Sequence, residues 1–579
     1  MMDSILFWNA VALEANRVSH SDPAKMEQTG PVLASRAIAI VHLAMYDAYA
    51  AITGTAGFPR YLAAPAIPAA TIPIPPPPPP NSSVANAVAG AAHKTLSDLY
   101  KAQREYFDAQ LSCFNTADPY FDFGVKVARV LLKYRRNDPG NDACGYRVSP
   151  KRGRHRVDPD NPGQGFLAPF YGFQSKVFAV SKRYGLNPPP FGNGAAAKYK
   201  TALKDVQAKG IKPELMGTLR AGLFGNKRNA EQTTIGVYWA YDGANRLGTP
   251  PRLYNQIIRE VAMKQGNSEG NNARLFAFVN AAMGDAGILA WEQKYCHDFW
   301  RPVVGIREHD KSFGPAARNP QDAANDIDGD ADPFWLPLGA PSTNRTMMKN
   351  FTPNFPAYPS GHATFGAAVF HITRLFYGKG FEAGGTPVIT GGKPIIKNGN
   401  LVKDDLFDGL GFVSDELNGM NQDNLATVRP RHVRNFNFDT TTPHLSGGLG
   451  KMIIENATSR IYLGVHWIFD AFAGTGDNPD FSATGLKTGG VPLGLKIAED
   501  IFLTGDGKAP KMTQPSPAAD PPDEPPVIDQ PADVGGCADA PAITNKKAKD
   551  KKTKDEKATE EAEEKQKVET PYPSGISRR

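Results

Sequence analysis

Three separated stretches of this chain carry residues whose types and spacing suit them to hold an oxyanion. The first is Ala357-Tyr-Pro-Ser-Gly-His362, followed at once by the small and apolar run 363–369. Pro359 keeps the residue before it extended and Ser360 is a natural helix cap, so a helix begins here with the amides of Gly361 and His362 unpaired at its positive end. Gly361 lets an oxyanion approach the backbone closely, Ser360 adds a hydroxyl, and His362 puts a titratable imidazole beside them. In the second stretch Ser459 and Arg460 precede His466 and Asp470. Four positions apart on one helical face, Asp470 can accept from the His466 ring and select its tautomer, which leaves the other ring nitrogen as nucleophile or metal ligand. Arg460 lies among Ile461, Tyr462, Leu463 and Val465, company in which a guanidinium has an anionic partner; a buried structural ion pair would account for it equally well. In the third, Lys294 and Arg301 are seven apart, nearly in phase on a helix, and could reach one anion. Each stretch by itself has an ordinary structural explanation.

Together, two Arg, one Lys, one Ser, a helix N-terminus and two His make a pocket suited to phosphate or to vanadate. The order Lys-x6-Arg-Pro, Pro-Ser-Gly-His and Ser-Arg-x5-His-x3-Asp resembles the superfamily shared by type 2 phosphatidic acid phosphatases, bacterial acid phosphatases and vanadium-dependent haloperoxidases. Its core motifs serve two chemistries. With phosphate, His466 would attack phosphorus to give a phosphohistidine, His362 would protonate the leaving alcohol, and Asp470 would stabilise the imidazolium. With vanadate, the site would be a halide peroxidase. A non-enzymatic oxyanion-binding or scaffold protein would instead tolerate alanine at His362.

Longer stretches favour the peroxidase. Tyr238-Trp-Ala-Tyr-Asp242-Gly, Thr249-Pro-Pro-Arg-Leu-Tyr-Asn255, Asn272-Ala-Arg-Leu-Phe-Ala277, the run 332–341 and Phe355-Pro-Ala-Tyr-Pro-Ser-Gly-His-Ala-Thr-Phe-Gly366 look like the fungal-type vanadium chloroperoxidase branch, and the likeness runs from about residue 4 to 503. It implies an all-α fold of two four-helix bundles, with vanadate held in the second and phosphate as a competitor. Carried onto this chain, it implies that Lys294, Arg301, Ser360, Gly361 and Arg460 bind the vanadate oxygens, that His466 ligates vanadium, and that His362 acts as acid–base on the apical oxygen. Lys294 would also polarise hydrogen peroxide. Trp291 and Phe355 stand where that branch has aromatic residues by the halide, and Asp242 and Asp470 would orient Arg460 and His466. The implied substrates are hydrogen peroxide and chloride or bromide, giving hypohalous acid with vanadium acting as a Lewis acid; neither an organic acceptor nor an oligomeric state is implied.

These residues must be positioned by helices, because helical periodicity dominates the chain. Helices are expected over 31–54, 84–108, 118–133, 213–241, 252–264, 271–301 and 361–377, with one or two more within 447–472 and a short hairpin at 386–397. Six consecutive prolines, Pro75 to Pro80, mark an exposed crossing at about 64–83. From 508 onward Pro, Ala and Asp give way to a Lys/Glu block at 546–567 with nine Lys and seven acidic residues, a composition for a disordered charged tail. The expected division is a first helical bundle over 1–235, a second over 236–507 that carries the oxyanion site, and the tail.

The remaining composition excludes function classes. A net charge of +6 over 579 residues, with no basic face interleaved with aromatics, argues against nucleic-acid binding. No charge-free apolar run is long enough to span a bilayer. Cys113, Cys144, Cys296 and Cys537 are far apart with no C-x-x-C, which excludes a zinc ribbon or a dense disulfide framework. Asp3 and Asn9 spoil a signal-peptide reading of the N-terminus, leaving cytoplasmic residence as the default expectation and export by another route as the alternative. Asp326-Ile-Asp-Gly-Asp330 lacks the glycine position and terminal glutamate of an EF-hand.

Overall fold

The structure is a computed structural model that describes residues 3–54, 57–63, 83–139, 146–191, 195–309, 330–378, 380–381, 387–389, 393–394, 396–397, 400–401, 407–438 and 447–515. The chain divides into two units, Met1–Asp529 and Gln530–Arg579, and every described residue belongs to the first. Its longer helices are α1 (Ser4–Ser19), α2 (Gly30–Thr53), α3 (Val84–Leu99), α4 (Pro119–Tyr134), α5 (Ala196–Lys209), α6 (Ala230–Tyr238), α7 (Pro250–Lys264), α8 (Glu269–His297), α9 (Gly361–Tyr377), α10 (Gly448–Tyr462) and α11 (Gly490–Thr504). Strands are short: Pro387–Ile389 pairs antiparallel with Lys393–Pro394, as the hairpin expectation has it, and Leu410–Phe412 pairs with Arg434–Phe436. The protein is all-α.

Two groups of four helices carry the core. In the first, α1 to α4 pack on one another; in the second, α8 to α11 do, with α9 against each of the others. Helix α8 joins the groups, because it also packs along α2. At 29 residues it is long and apolar enough to cross a membrane, yet 94% of its most apolar window is buried inside the protein. A helix buried all round has no polar face to conserve. Helix α9 starts hard against α11, where Gly490 leaves no room for a side chain: a Cβ there would overlap the Ser360 carbonyl. That contact fixes the first turn of α9 in place.

Several boundaries differ from the sequence expectation, each for a local reason. The segment 213–241 is not one helix. A 3-10 turn at Pro213–Thr218 and the short helix Ala221–Phe224 precede α6, which Asn229 and Gln232 start afresh through a capping box. The 84–108 helix breaks at Tyr100, whose backbone leaves the helical region at φ −128° and ψ 66°. Helix α8 stops at His297 because Asp298 turns left-handed at φ 48°, so Arg301 is not on it but caps the next short helix, Pro302–Arg307. The helical stripe expected to align Lys294 with Arg301 therefore does not exist. Likewise α10 ends at Tyr462, and His466 lies between it and the one-turn helix Ile468–Ala471. Packing also continues past 507, with Ala509 and Met512 in the core. The proline run, most of the acidic loop at 326–332, and the tail from 516 lie outside the described residues.

Candidate active site

Four elements meet around one cavity of about 200 Å³, whose lining includes Trp291, Phe355, Gly361, His362, Arg460, His466 and Asp242. Lys294 from the last turn of α8, Arg301 just beyond it, Ser360 at the cap of α9, Arg460 from α10 and His466 beyond α10 are each at most 2% exposed. The residues singled out from the sequence thus gather in one place. Lys294, Arg301 and Asp470 do not line the cavity themselves but contact residues that do, Lys294 at the Trp291 and Phe355 rings and the other two at His466, and Ser360 adjoins Gly361. A turn rather than a helical stripe brings Lys294 and Arg301 together.

Backbone carbonyls aim the cations. Lys294 Nζ donates to the carbonyls of Pro356 (2.8 Å) and Ala357 (3.0 Å). Arg301 donates through Nε to the Phe355 carbonyl at 2.8 Å and through Nη1 to the Val465 carbonyl at 2.8 Å. Arg460 is gripped by both oxygens of Asp242 at 2.9 and 2.8 Å, the bidentate arrangement that fixes a guanidinium plane. Two donors are left over: Arg301 Nη2 and Arg460 Nε are buried without a partner.

The two imidazoles are set in opposite tautomers. His466 Nδ1 donates to Asp470 Oδ2 at 2.7 Å, and the same oxygen accepts from the Trp467 amide at 3.0 Å. This makes Nε2 the lone-pair nitrogen, and Arg301 Nη1 lies 2.9 Å from it. His362 instead donates from Nε2 to the Ala240 carbonyl at 2.7 Å, which makes Nδ1 its acceptor nitrogen. Its own carbonyl accepts from Asn456 at 2.8 Å. Ser360 is tied to the second motif directly, its amide donating to the Asp470 carbonyl at 2.8 Å.

Electrostatically the pocket wants an anion. Burial, with Arg301 alongside, pushes Lys294 well below the usual lysine range; burial lowers Arg301 to about 9 and His362 to about 3, with Arg460 contributing to the latter. His466 is pushed well down by burial and then by Arg301, and burial raises Asp470 to about 7. Two guanidiniums and a lysine thus share the pocket with Asp242 and Asp470. Gathering them dry is unfavourable unless a counter-charge joins them. The orphaned N–H groups, His466 Nε2, which accepts from Arg301 Nη1, and the Gly361 cradle, where a Cβ would stand 3.2 Å from the Trp291 ring, fit a small oxyanion that carries a metal able to take a nitrogen ligand.

The aromatic pair stands at this cation cluster. Trp291 and Phe355 pack with ring centroids 4.8 Å apart, and Lys294 Nζ lies 5.6 and 5.0 Å from them. Trp291 donates to the Leu167 carbonyl at 3.1 Å.

Most of the chain matches known proteins. Residues 2–169 match the model of the vanadium chloroperoxidase N-terminal domain, and residues 274–478 that of the VCPO second helical-bundle domain. The sequence is 34% identical to the vanadium chloroperoxidase of Curvularia inaequalis over 90% of this chain and 93% of that protein. The chain belongs to the vanadium chloroperoxidase family. Its fold is also that of a bacterial vanadium-dependent iodoperoxidase (TM-score 0.53, 16% identity, 88% of this chain and 97% of the other) and of a bacterial vanadium-dependent chloroperoxidase (0.51, 15%, 84% and 96%). As in its family, the enzyme is a vanadium-dependent haloperoxidase: its cofactor is vanadate and its substrates are hydrogen peroxide and halide.

Some positioning groups of this haloperoxidase were not among the residues singled out from the sequence. Tyr241 stands between Ala240, which holds His362, and Asp242, which holds Arg460, and it is left-handed at φ 48°. Its amide donates to the buried Glu416 at 3.3 Å, and its hydroxyl accepts from the Asp415 amide at 2.7 Å. Glu416 also accepts from Thr343 (2.6 Å) and Arg429 (2.7 Å). The only signal available in the sequence was the likeness of 238–243 as a block.

Proposed function

We propose that Lys294, Arg301, Ser360, Gly361 and Arg460 hold the oxygens of vanadate, that His466 supplies its nitrogen ligand through Nε2, and that His362 is the acid–base. When bound, vanadate supplies a Lewis-acidic centre that activates hydrogen peroxide toward halide without changing oxidation state. The single observation that carries the reading is a pair of unused donors, Arg301 Nη2 and Arg460 Nε, buried without a partner beside His466, a cavity-lining residue whose Nε2 accepts from Arg301 Nη1.

Each protein group then has a task. Arg301, Arg460 and Lys294 supply the positive charge that offsets the anion and raises its electrophilicity. Asp470 keeps the proton on Nδ1 of His466, so that Nε2 stays a ligand. His362, held by Ala240 through Nε2, takes and returns protons at Nδ1. Lys294 polarises the peroxide, and Trp291 with Phe355 forms a dry wall against which a halide loses water. We further assign the first helical bundle to 1–235 and the bundle carrying the site to 236–507.

Reconstitution of the purified protein with orthovanadate, followed by assays of bromide- and chloride-dependent peroxide consumption beside phosphate-ester hydrolysis, tests this. Halide oxidation that requires vanadate and is inhibited by phosphate is expected. Ester hydrolysis inhibited by vanadate, without halide oxidation, would overturn it.

A further inference from the structure

We propose that the rim of the active-site cavity carries a set of sacrificial methionines, Met26, Met347, Met348 and Met420, that are oxidised to sulfoxide by hypohalous acid leaving the site. Among the described residues five methionines are exposed: these four at 63%, 83%, 56% and 75%, and Met263 at 51%. Of the other described methionines, Met45, Met283 and Met452 are fully buried, Met512 is buried, and Met216 is half-buried against the core.

The four share a location. The cavity wall includes Gly30, Asp242, Gly243 and Phe351. Met26 precedes Gly30 by four residues, and Met347 and Met348 precede Phe351 by four and three, so each lies within ~14 Å of the wall by chain length alone. Met420 reaches the same loop through a zipper between chain segments. Asn344 exchanges hydrogen bonds with Gln422 at 3.0 Å in both directions and donates to Asn421 at 2.9 Å, while the Met347 amide donates to the Asn424 carbonyl at 2.8 Å. Asn344 is also bonded to the Asn245 carbonyl at 2.7 Å, two residues past Gly243 of the wall. Met263, by contrast, sits thirteen residues along α7 from Pro250, the wall residue at its start, about 20 Å away at helical rise.

The chemistry needs only what the enzyme makes. The thioether sulfur attacks the halogen of the hypohalous acid, forming an S–X bond as hydroxide leaves; water then adds to sulfur, halide departs, and two protons are released, one neutralising the hydroxide. Overall R–S–CH3 and HOX give R–S(O)–CH3, a proton and X⁻. Sulfur loses two electrons and the halogen gains them. Since these side chains are exposed, the polar sulfoxide disrupts no core, which oxidation of Met283 or Met452 would. The rim thus intercepts an oxidant before it reaches buried methionines or returns to Trp291, and it gives back halide.

The vanadate-loaded enzyme, turning over peroxide and bromide without an organic acceptor, would be digested at intervals and each methionine scored by mass spectrometry. A second sample would receive the same total hypobromite from solution. In turnover the four rim methionines should be oxidised at least several-fold faster than Met263, and this preference should shrink when the reagent comes from bulk. Met263 oxidised as fast as the rim during turnover, or a preference identical in both samples, overturns the proposal. The M26L/M347L/M348L/M420L variant should keep its initial rate and inactivate after several-fold fewer turnovers; an unchanged lifetime also overturns it.

Discussion

The two imidazoles of the pocket differ in which nitrogen carries the proton, and this separates their tasks. Asp470 fixes the proton of His466 on Nδ1 and leaves the Nε2 lone pair facing Arg301 Nη1; Ala240 fixes the proton of His362 on Nε2. Removing a ligand and removing an acid–base have different signatures. His466→Ala should abolish tight vanadate binding, by more than the ~10–100-fold that loss of an outer partner brings. His362→Ala should keep affinity within a few-fold and lower turnover by roughly 10²–10⁴. Direct titration of vanadate into each apo variant, paired with steady-state rates, reads both. Unchanged affinity in the first variant would remove His466 from the ligand set, and equal loss of affinity in both would remove the division of labour. Of this pair, the His466–Asp470 contact was legible as a four-residue spacing, but its cause was not the expected one. The two meet across the start of a one-turn helix, where Asp470 also accepts from the Trp467 amide, rather than along a helical face.

Helices were legible where caps and glycines punctuate the pattern. Asp118 and Ser360 start α4 and α9 as their types suggest, whereas α7 begins two residues earlier than expected, at Pro250. The segment 213–241 was misread because apolar spacing outweighed Gly217, Gly225 and the cap at Asn229, each of which permits a break. The turn at 240–242 was legible only by likeness, since the groups that hold it come from 175 residues away in sequence. Three consecutive residues there do separate work: the Ala240 carbonyl binds His362, Tyr241 adopts a left-handed conformation, and Asp242 binds Arg460. A non-glycine residue in that region is strained by about 1–3 kcal/mol unless its surroundings over-determine it, and Glu416 with Asp415 does so through the Tyr241 amide and hydroxyl. Glu416→Gln keeps the volume and weakens charge-assisted bonds to Arg429 and Thr343, each worth roughly 1.5–3 kcal/mol. The variant should fold, bind phosphate about tenfold more weakly, and shift the His362 ring resonances in the apo protein. Unaltered ring resonances with lowered thermal stability would reduce Glu416 to a purely structural role.

Across the whole molecule, burial pushes histidines down and several carboxylates up, and the two sets act oppositely on acid stability. His42 and His297 are lowered to about 4 and His362 to about 3, while His20, His155, His371 and His466 are lowered as well. Below the ordinary histidine value of about 6.5 the unfolded chain takes up protons that the folded protein refuses, so this contribution is complete above that value and is lost as pH falls. Asp285, raised to about 6, and Asp298 and Asp470, raised to about 7, do the reverse: the folded protein keeps protons that the unfolded chain has released, and stability falls as pH rises through those values. Glu292 and Glu416 are raised too. Seven histidines outweigh five carboxylates, so the melting temperature of the apo protein should climb from pH 4.5 to about 6.5 and then level off. An anion in the pocket changes the balance, because its charge lifts Lys294 and His362 toward their ordinary values and binding then takes up protons. Sulfate keeps the same charge between pH 5 and 8, so it isolates the protein's side of this linkage. At low millimolar sulfate, scanning calorimetry should show a larger rise in melting temperature at pH 5 than at pH 8. Equal rises would mean that the cationic cluster keeps its protons without a guest, and that the pocket is already charged when empty.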